Sequence, residues 1–85
     1  MNPKRLLRRL AAGHLHNVAF RDALALAEAF GFVVTRIEGS HHILSHPGVK
    51  EFLNLQDVRG EAKPYQLRQF LRLVERYDLQ LREET

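Results

Sequence analysis

The chain has 85 residues, a formal charge of +3 and no cysteine. That length supports one small domain, and the missing thiols exclude disulfide frameworks, thiolate metal sites and cysteine nucleophiles. No apolar run approaches the ~20 residues that cross a bilayer, and the basic start lacks the apolar stretch of a secretory signal, so the expectation is a soluble, cytoplasmic protein with no membrane partner.

Residues Pro3 to Ala12 read as a short helix. Asn2 can cap it, Pro3 suits its first position, Leu6, Leu7 and Leu10 form a narrow apolar stripe, and Gly13 can stop it. The piece reads as an appendage, residues 1–17, ahead of a main domain at residues 18–82, with residues 83–85 as a polar tail. A second helix is expected from Val18 to Phe30, where Phe20, Leu24, Ala27 and Phe30 recur near helical spacing and Gly31 supplies a left-handed end. From Phe32 to Glu38 the β-branched residues Val33, Val34, Thr35 and Ile37 favour a strand. Gly39-Ser40 turns the chain into a second strand, His41 to His46, and Pro47-Gly48 turns it again. Phe52 to Gln56 sets Leu53 and Leu55 against Asn54 and Gln56, the alternation of a half-buried third strand. Pro64 then opens a last helix to about Tyr77, with Leu67, Phe70, Leu71 and Val74 on one face.

The expected fold class is therefore α+β. The order is helix, strand, strand, strand, helix, with a three-stranded antiparallel sheet carrying both helices on one face, plus the short N-terminal helix. That is the arrangement of the double-stranded RNA-binding domain, which reads RNA mainly by shape and backbone contacts. Charge fits an anionic partner as well. Lys4, Arg5, Arg8 and Arg9 crowd the start, Lys63, Arg68, Arg72, Arg76 and Arg82 dominate the end, and the acidic residues Asp22, Glu28, Glu38, Glu51, Asp57 and Glu61 lie between. Such rows gain affinity for phosphates by releasing counterions, but they also serve as solvated helix faces.

The segment Gly39-Ser40-His41-His42-Ile43-Leu44-Ser45-His46-Pro47-Gly48 places three of the five histidines within six positions. Histidine is the side chain that ordinarily gives and takes protons near neutral pH, so a cluster at a turn is a candidate site. His41 and His42 are adjacent on a strand and point to opposite faces. Alternation leaves open which face is buried, because Ile43 accompanies His41 and Leu44 accompanies His42. His14 and His16 form a His-x-His pair with no further ligand type nearby, which is a weak metal signal.

The stretch Gly39 to Gly48, preceded by Phe30-Gly31-Phe32 and followed by a strand and the helix opened by Pro64, resembles the HicA toxins of bacterial type II toxin-antitoxin pairs. The resemblance covers roughly Val18 to Tyr77 and is sharpest in Gly-Ser-His-His with His46-Pro47 behind it. It implies a double-stranded RNA-binding-like fold, an endoribonuclease that cleaves messenger RNA and arrests growth, and inhibition by a cognate HicB antitoxin. By the same resemblance the catalytic residue is the histidine after Gly-Ser, here His41. The chain departs from the family at the end of the third strand, where many relatives carry a Pro-His or similar pair and this chain has Gln56-Asp57, and in its extension before Val18, which the minimal family core lacks.

The chemistry is consistent with those residues. RNA carries its own nucleophile, the 2'-hydroxyl, so one imidazole can cover a proton transfer and cations such as Lys63, Arg68 and Arg72 can stabilise the phosphoryl charge. This scheme calls for no metal and no cofactor. Gly39, Ser40 and His46 are expected to support the site or the RNA. A non-catalytic RNA-binding module of the same fold is the alternative, and a protein-interaction unit with structural histidines is a third.

Overall fold

A computed structural model describes residues 1–82. Along the chain lie α1 (Pro3–Ala11), α2 (Phe20–Ala29), β1 (Val33–Glu38), β2 (His41–His46), β3 (Val49–Val58), β4 (Glu61–Ala62) and α3 (Pro64–Arg76). The strands form one antiparallel sheet in the order β1-β2-β3-β4, and α2 and α3 pack against it. The fold is the α+β, double-stranded RNA-binding-domain-like arrangement, with four strands where the sequence predicts three.

The fourth strand follows from a tight turn. Arg59 and Gly60 take φ values of 54° and 85°, the left-handed pair that closes a two-residue hairpin, and the Gly60 N–H donates to Asp57 Oδ1 at 2.7 Å. Its free side is occupied by the segment before α2: the Ala62 N–H donates to the Val18 carbonyl at 2.9 Å and the Phe20 N–H to the Gly60 carbonyl at 2.8 Å. The start of α2 is thus anchored by backbone pairing, without a capping side chain at Ala19. Its far end closes as a Schellman motif. Gly31 has φ 101°, its N–H donates to the Glu28 carbonyl, and the Phe32 N–H donates to the Ala27 carbonyl.

The core sits between the sheet and the helices. Leu44, Leu53 and Leu55 of the sheet are buried with Leu26, Ala27 and Phe30 around α2 and Leu67, Phe70 and Leu73 on α3. The phenylalanine rings meet edge to face, Phe30 with Phe70 at 5.5 Å and Phe32 with Phe70 at 6.1 Å between centroids. On α3 the buried stripe runs through Leu67, Phe70 and Leu73, while Leu71 and Val74 are partly buried beside it.

The helix α1 is more than the appendage that the sequence suggests. Its stripe turns inward: Leu6 and Leu10 belong to the common core, Leu10 only 1% exposed, and α1 packs against both α2 and α3. The capping expectation holds, since Asn2 Oδ1 accepts from the Arg5 N–H at 3.0 Å. Arg9 then closes the following loop by donating to the carbonyls of His16, at 2.7 Å, and Asn17, at 3.3 Å, and Leu15 and Val18 in this stretch are buried in the core. The polar tail, residues 83–85, lies outside the described residues.

Candidate active site on the open face of the sheet

Strand alternation sorts the histidines. Leu44 is buried, and because side chains on a strand point alternately to opposite faces, His42 and His46 share its inward face while His41 and Ile43 look outward. His42 is half-buried, its ring 4.7 Å from that of Phe20 and its Nδ1 3.4 Å from the Ser40 carbonyl. His46 is tied at both nitrogens: Nδ1 accepts the Gly48 N–H at 2.9 Å, which leaves Nε2–H to donate to the Phe30 carbonyl at 3.0 Å. Its ring also packs on Phe32 at 5.2 Å. A Cβ at position 31 would stand 3.0 Å from His46 Nε2, so Gly31 is required by close approach as well as by its φ.

His41 has a different setting. It follows the Gly39-Ser40 turn, where Gly39 takes φ 59° with open space around it. Ser40 is fastened to the end of β3: its carbonyl accepts the Asp57 N–H at 2.9 Å and its Oγ accepts from Gln56 Nε2 at 3.1 Å. Gln56 stands directly across from His41 in the β2–β3 register, with Asn54 across from Ile43. The diagonal between them brings His41 Nδ1 to 3.4 Å from Asn54 Oδ1. An amide oxygen can only accept, so this contact favours the proton on Nδ1 and leaves Nε2 as the basic nitrogen.

The edge of this face is finished by α3. The Gln56 N–H donates to Oε1 of Gln66 at 2.7 Å, so a buried side chain takes the place of a neighbouring strand. Gln66 Nε2 in turn donates to the Tyr65 hydroxyl at 3.3 Å. A groove runs here, lined by Phe52, Asn54, Tyr65, Gln66, Gln69 and Arg72. Of the basic residues singled out from the sequence, Arg72 lines this groove, bonded to Gln69 at 3.2 Å, and Lys63 lies at the start of α3 with Nζ 5.7 Å from the Tyr65 ring centroid. Arg68 is exposed on α3. Arg76 is committed elsewhere, paired with Glu51 at 2.8 Å. Tyr77 donates to the same carboxylate, and that bond, with Arg76 beside it, holds the Glu51 carboxyl below its usual range.

His41 thus stands on the outer face behind the Ser40 turn, Arg72 lines the groove that Asn54 shares, Lys63 lies beside Tyr65 of that groove, and His46 is on the other side of the sheet. Asn54, Gln56 and Gln66, which the sequence does not mark as site residues, hold the outer face together. The only signal for Asn54 and Gln56 is the polar side of the third strand's alternation, and Gln66, on α3, has none. His14 and His16 are exposed on the loop after α1, and among the described residues no three His, Cys, Asp or Glu side chains group as metal ligands do.

A helix-backed antiparallel sheet with a histidine and an asparagine in contact on its open face defines a small α+β protein of double-stranded RNA-binding-domain-like fold. The family model described as "HicA toxin of bacterial toxin-antitoxin" matches residues 20–75. The chain belongs to the HicA toxin family, and membership implies an antitoxin partner. No match was found among curated proteins or among solved structures. Among the described residues no helix is long and apolar enough to cross a membrane.

Proposed function

We propose that the chain is the toxin of a HicA/HicB-type pair and an endoribonuclease that cuts messenger RNA in the cytoplasm, with His41 as its general base. The observation that supports this reading most is the contact of His41 Nδ1 with Asn54 Oδ1 on the outer face of the sheet. It aims a basic Nε2 outward, where a substrate can reach it. In the reaction, Nε2 takes the proton of the RNA 2'-hydroxyl, O2' attacks the adjacent phosphorus, and the bond from phosphorus to the 5'-oxygen breaks. The products are a 2',3'-cyclic phosphate and a 5'-hydroxyl, the leaving oxygen taking a proton from water or from the imidazolium. A positioned imidazole contributes ~10²- to 10⁴-fold by such a transfer.

Lys63, Arg68 and Arg72 hold the phosphates and offset the charge that grows on the phosphorane. Gly39 and Ser40 act by fixing the turn that carries His41, with Gln56 as the clasp on Ser40. His46 acts as a structural staple. The cognate HicB-like antitoxin silences the toxin by covering the face that carries His41.

Induced expression in bacteria tests this reading. Growth arrest by the parent chain, relieved by His41→Ala at equal soluble expression and by co-expression of a cognate antitoxin, is the expected result. An arrest that persists with His41→Ala removes that residue from the mechanism. RNA binding without any cleavage by the parent chain leaves a non-catalytic RNA-binding module.

A further inference from the structure

Four of the five phenylalanines are buried, and Phe52 is 65% exposed. Tyr65 is 59% exposed. Large rings in water forgo ~1.5–3 kcal/mol of burial each, so two beside one groove call for an occupant. Phe52 lies two residues from Asn54 on the same face of β3, and Tyr65 lies in the first turn of α3. Both line the groove that Asn54, the partner of His41, also lines. Tyr65 is held in place at its hydroxyl by Gln66, which is only 3% exposed and is itself bonded to the β3 backbone. Charge accompanies the rings. Lys63 lies over the Tyr65 ring and Arg72 lines the same groove.

We propose that Phe52 and Tyr65 form a stacking platform for an unpaired base of single-stranded RNA, with Lys63 and Arg72 on the flanking phosphates. This rests on RNA being the substrate, as proposed above, and adds which form of RNA is taken. In a duplex the base faces are stacked on one another and an A-form helix offers a protein its backbone and minor groove, so exposed rings gain nothing from it. A single strand has free base faces, and each stacked on an aromatic side chain contributes ~1–3 kcal/mol in a sequence-tolerant way. A fold whose relatives read duplex shape is thereby directed to an unstacked segment, with the base parked on the platform beside the phosphodiester at His41.

The test uses an oligonucleotide with 2'-fluoro sugars, which lacks the 2'-hydroxyl nucleophile and so reports binding independently of cleavage. Anisotropy titrations compare the single strand with the same strand annealed to its complement. The single strand is expected to bind at least ~10-fold more tightly, and Phe52→Ala and Tyr65→Ala are each expected to weaken it ~5- to 100-fold. Tyr65→Phe keeps the ring and should keep the affinity. With no tryptophan and two tyrosines in the chain, tyrosine emission gives a second readout: the single strand should quench it, and Tyr65→Phe should abolish the quench. Duplex bound as tightly as single strand, or alanine variants that keep their circular dichroism and the parental affinity, overturns the platform. Alanine variants that lose affinity only for the antitoxin overturn it equally. A parent chain that binds the single strand through the two rings but never cuts ordinary RNA contradicts the nuclease reading and leaves the platform standing.

Discussion

His41 Nδ1 lies 3.4 Å from Asn54 Oδ1, across the pairing of β2 with β3 and on the sheet face opposite the buried leucines. The length is that of a weak contact, and catalytic hydrogen bonds often tighten only with substrate bound. If Asn54 holds the ring, it acts as a positioning residue. Asn54→Ala should lower kcat ~10-fold with little change in KM. Asn54→Asp should place an anion at Nδ1, favour the imidazolium, and move the acidic limb of the pH–rate profile to higher pH. A profile that does not move, with kcat unchanged in both variants, would leave His41 positioned by its backbone alone.

His46 should be a residue of stability. Removing its ring strands the Phe30 carbonyl and the Gly48 N–H and leaves a space beside Phe32. His46→Ala is expected to cost about 2–4 kcal/mol in urea unfolding, while its activity, measured where the variant is folded, should stay within a few-fold of the parent. A variant that unfolds like the parent but no longer binds RNA would return His46 to the binding surface.

The helix α1 gives the clearest contrast between expectation and structure. Leu10→Ala should cost about 2–5 kcal/mol, the range for a buried leucine, and removal of residues 1–16 should abolish cooperative unfolding. A truncated chain that still unfolds cooperatively with the parental slope would make α1 a dispensable cover.

How much of this the sequence carries depends on the range over which the information is encoded. Local signals served well: Gly31 ends α2, Pro64 opens α3, and β2 runs from His41 to His46 as its residues suggest. The short strand Glu61–Ala62 is too brief for alternation to be visible, and it is held between β3, to which a tight turn returns it, and the segment at Val18. The stripe of Leu6 and Leu10 reads the same whether it meets a core or lies on the surface. Equally, Ile43 and Leu44 are interchangeable in a pattern, so which histidine faces outward emerged only from packing. Asn54 meets His41, and Gln56 meets Ser40, through a pairing of strands that no local spacing encodes.

The carboxylate of Glu51 supplies a pH-dependent prediction. Hydrogen bonding from Tyr77, followed by Arg76, stabilises its charged form in the folded state, so the folded pKa lies below the unfolded one. That contribution is present above the ordinary carboxylate range and disappears as pH falls through the folded value. Thermal melts across acidic pH should show the difference between the parent and Glu51→Gln shrinking as pH drops. A difference that is constant with pH would mean that the pair stabilises by packing alone.

The cations on α3 should appear in the salt dependence of RNA binding. Replacing Arg68 and Arg72 with Gln should weaken binding and flatten the slope of log affinity against log salt by about one to two units, roughly 0.7 for each contact with a single strand. An unchanged slope would assign both arginines to solvent.

The most direct test of the central claim is the fate of a ribonucleotide substrate incubated with purified protein in a chelator. The parent chain should release a 2',3'-cyclic phosphate and a 5'-hydroxyl. His41→Ala should cut ~10²- to 10⁴-fold more slowly, with the fold and the affinity for uncleavable RNA retained. Cleavage at the parental rate by His41→Ala, or products bearing a 5'-phosphate, would contradict it.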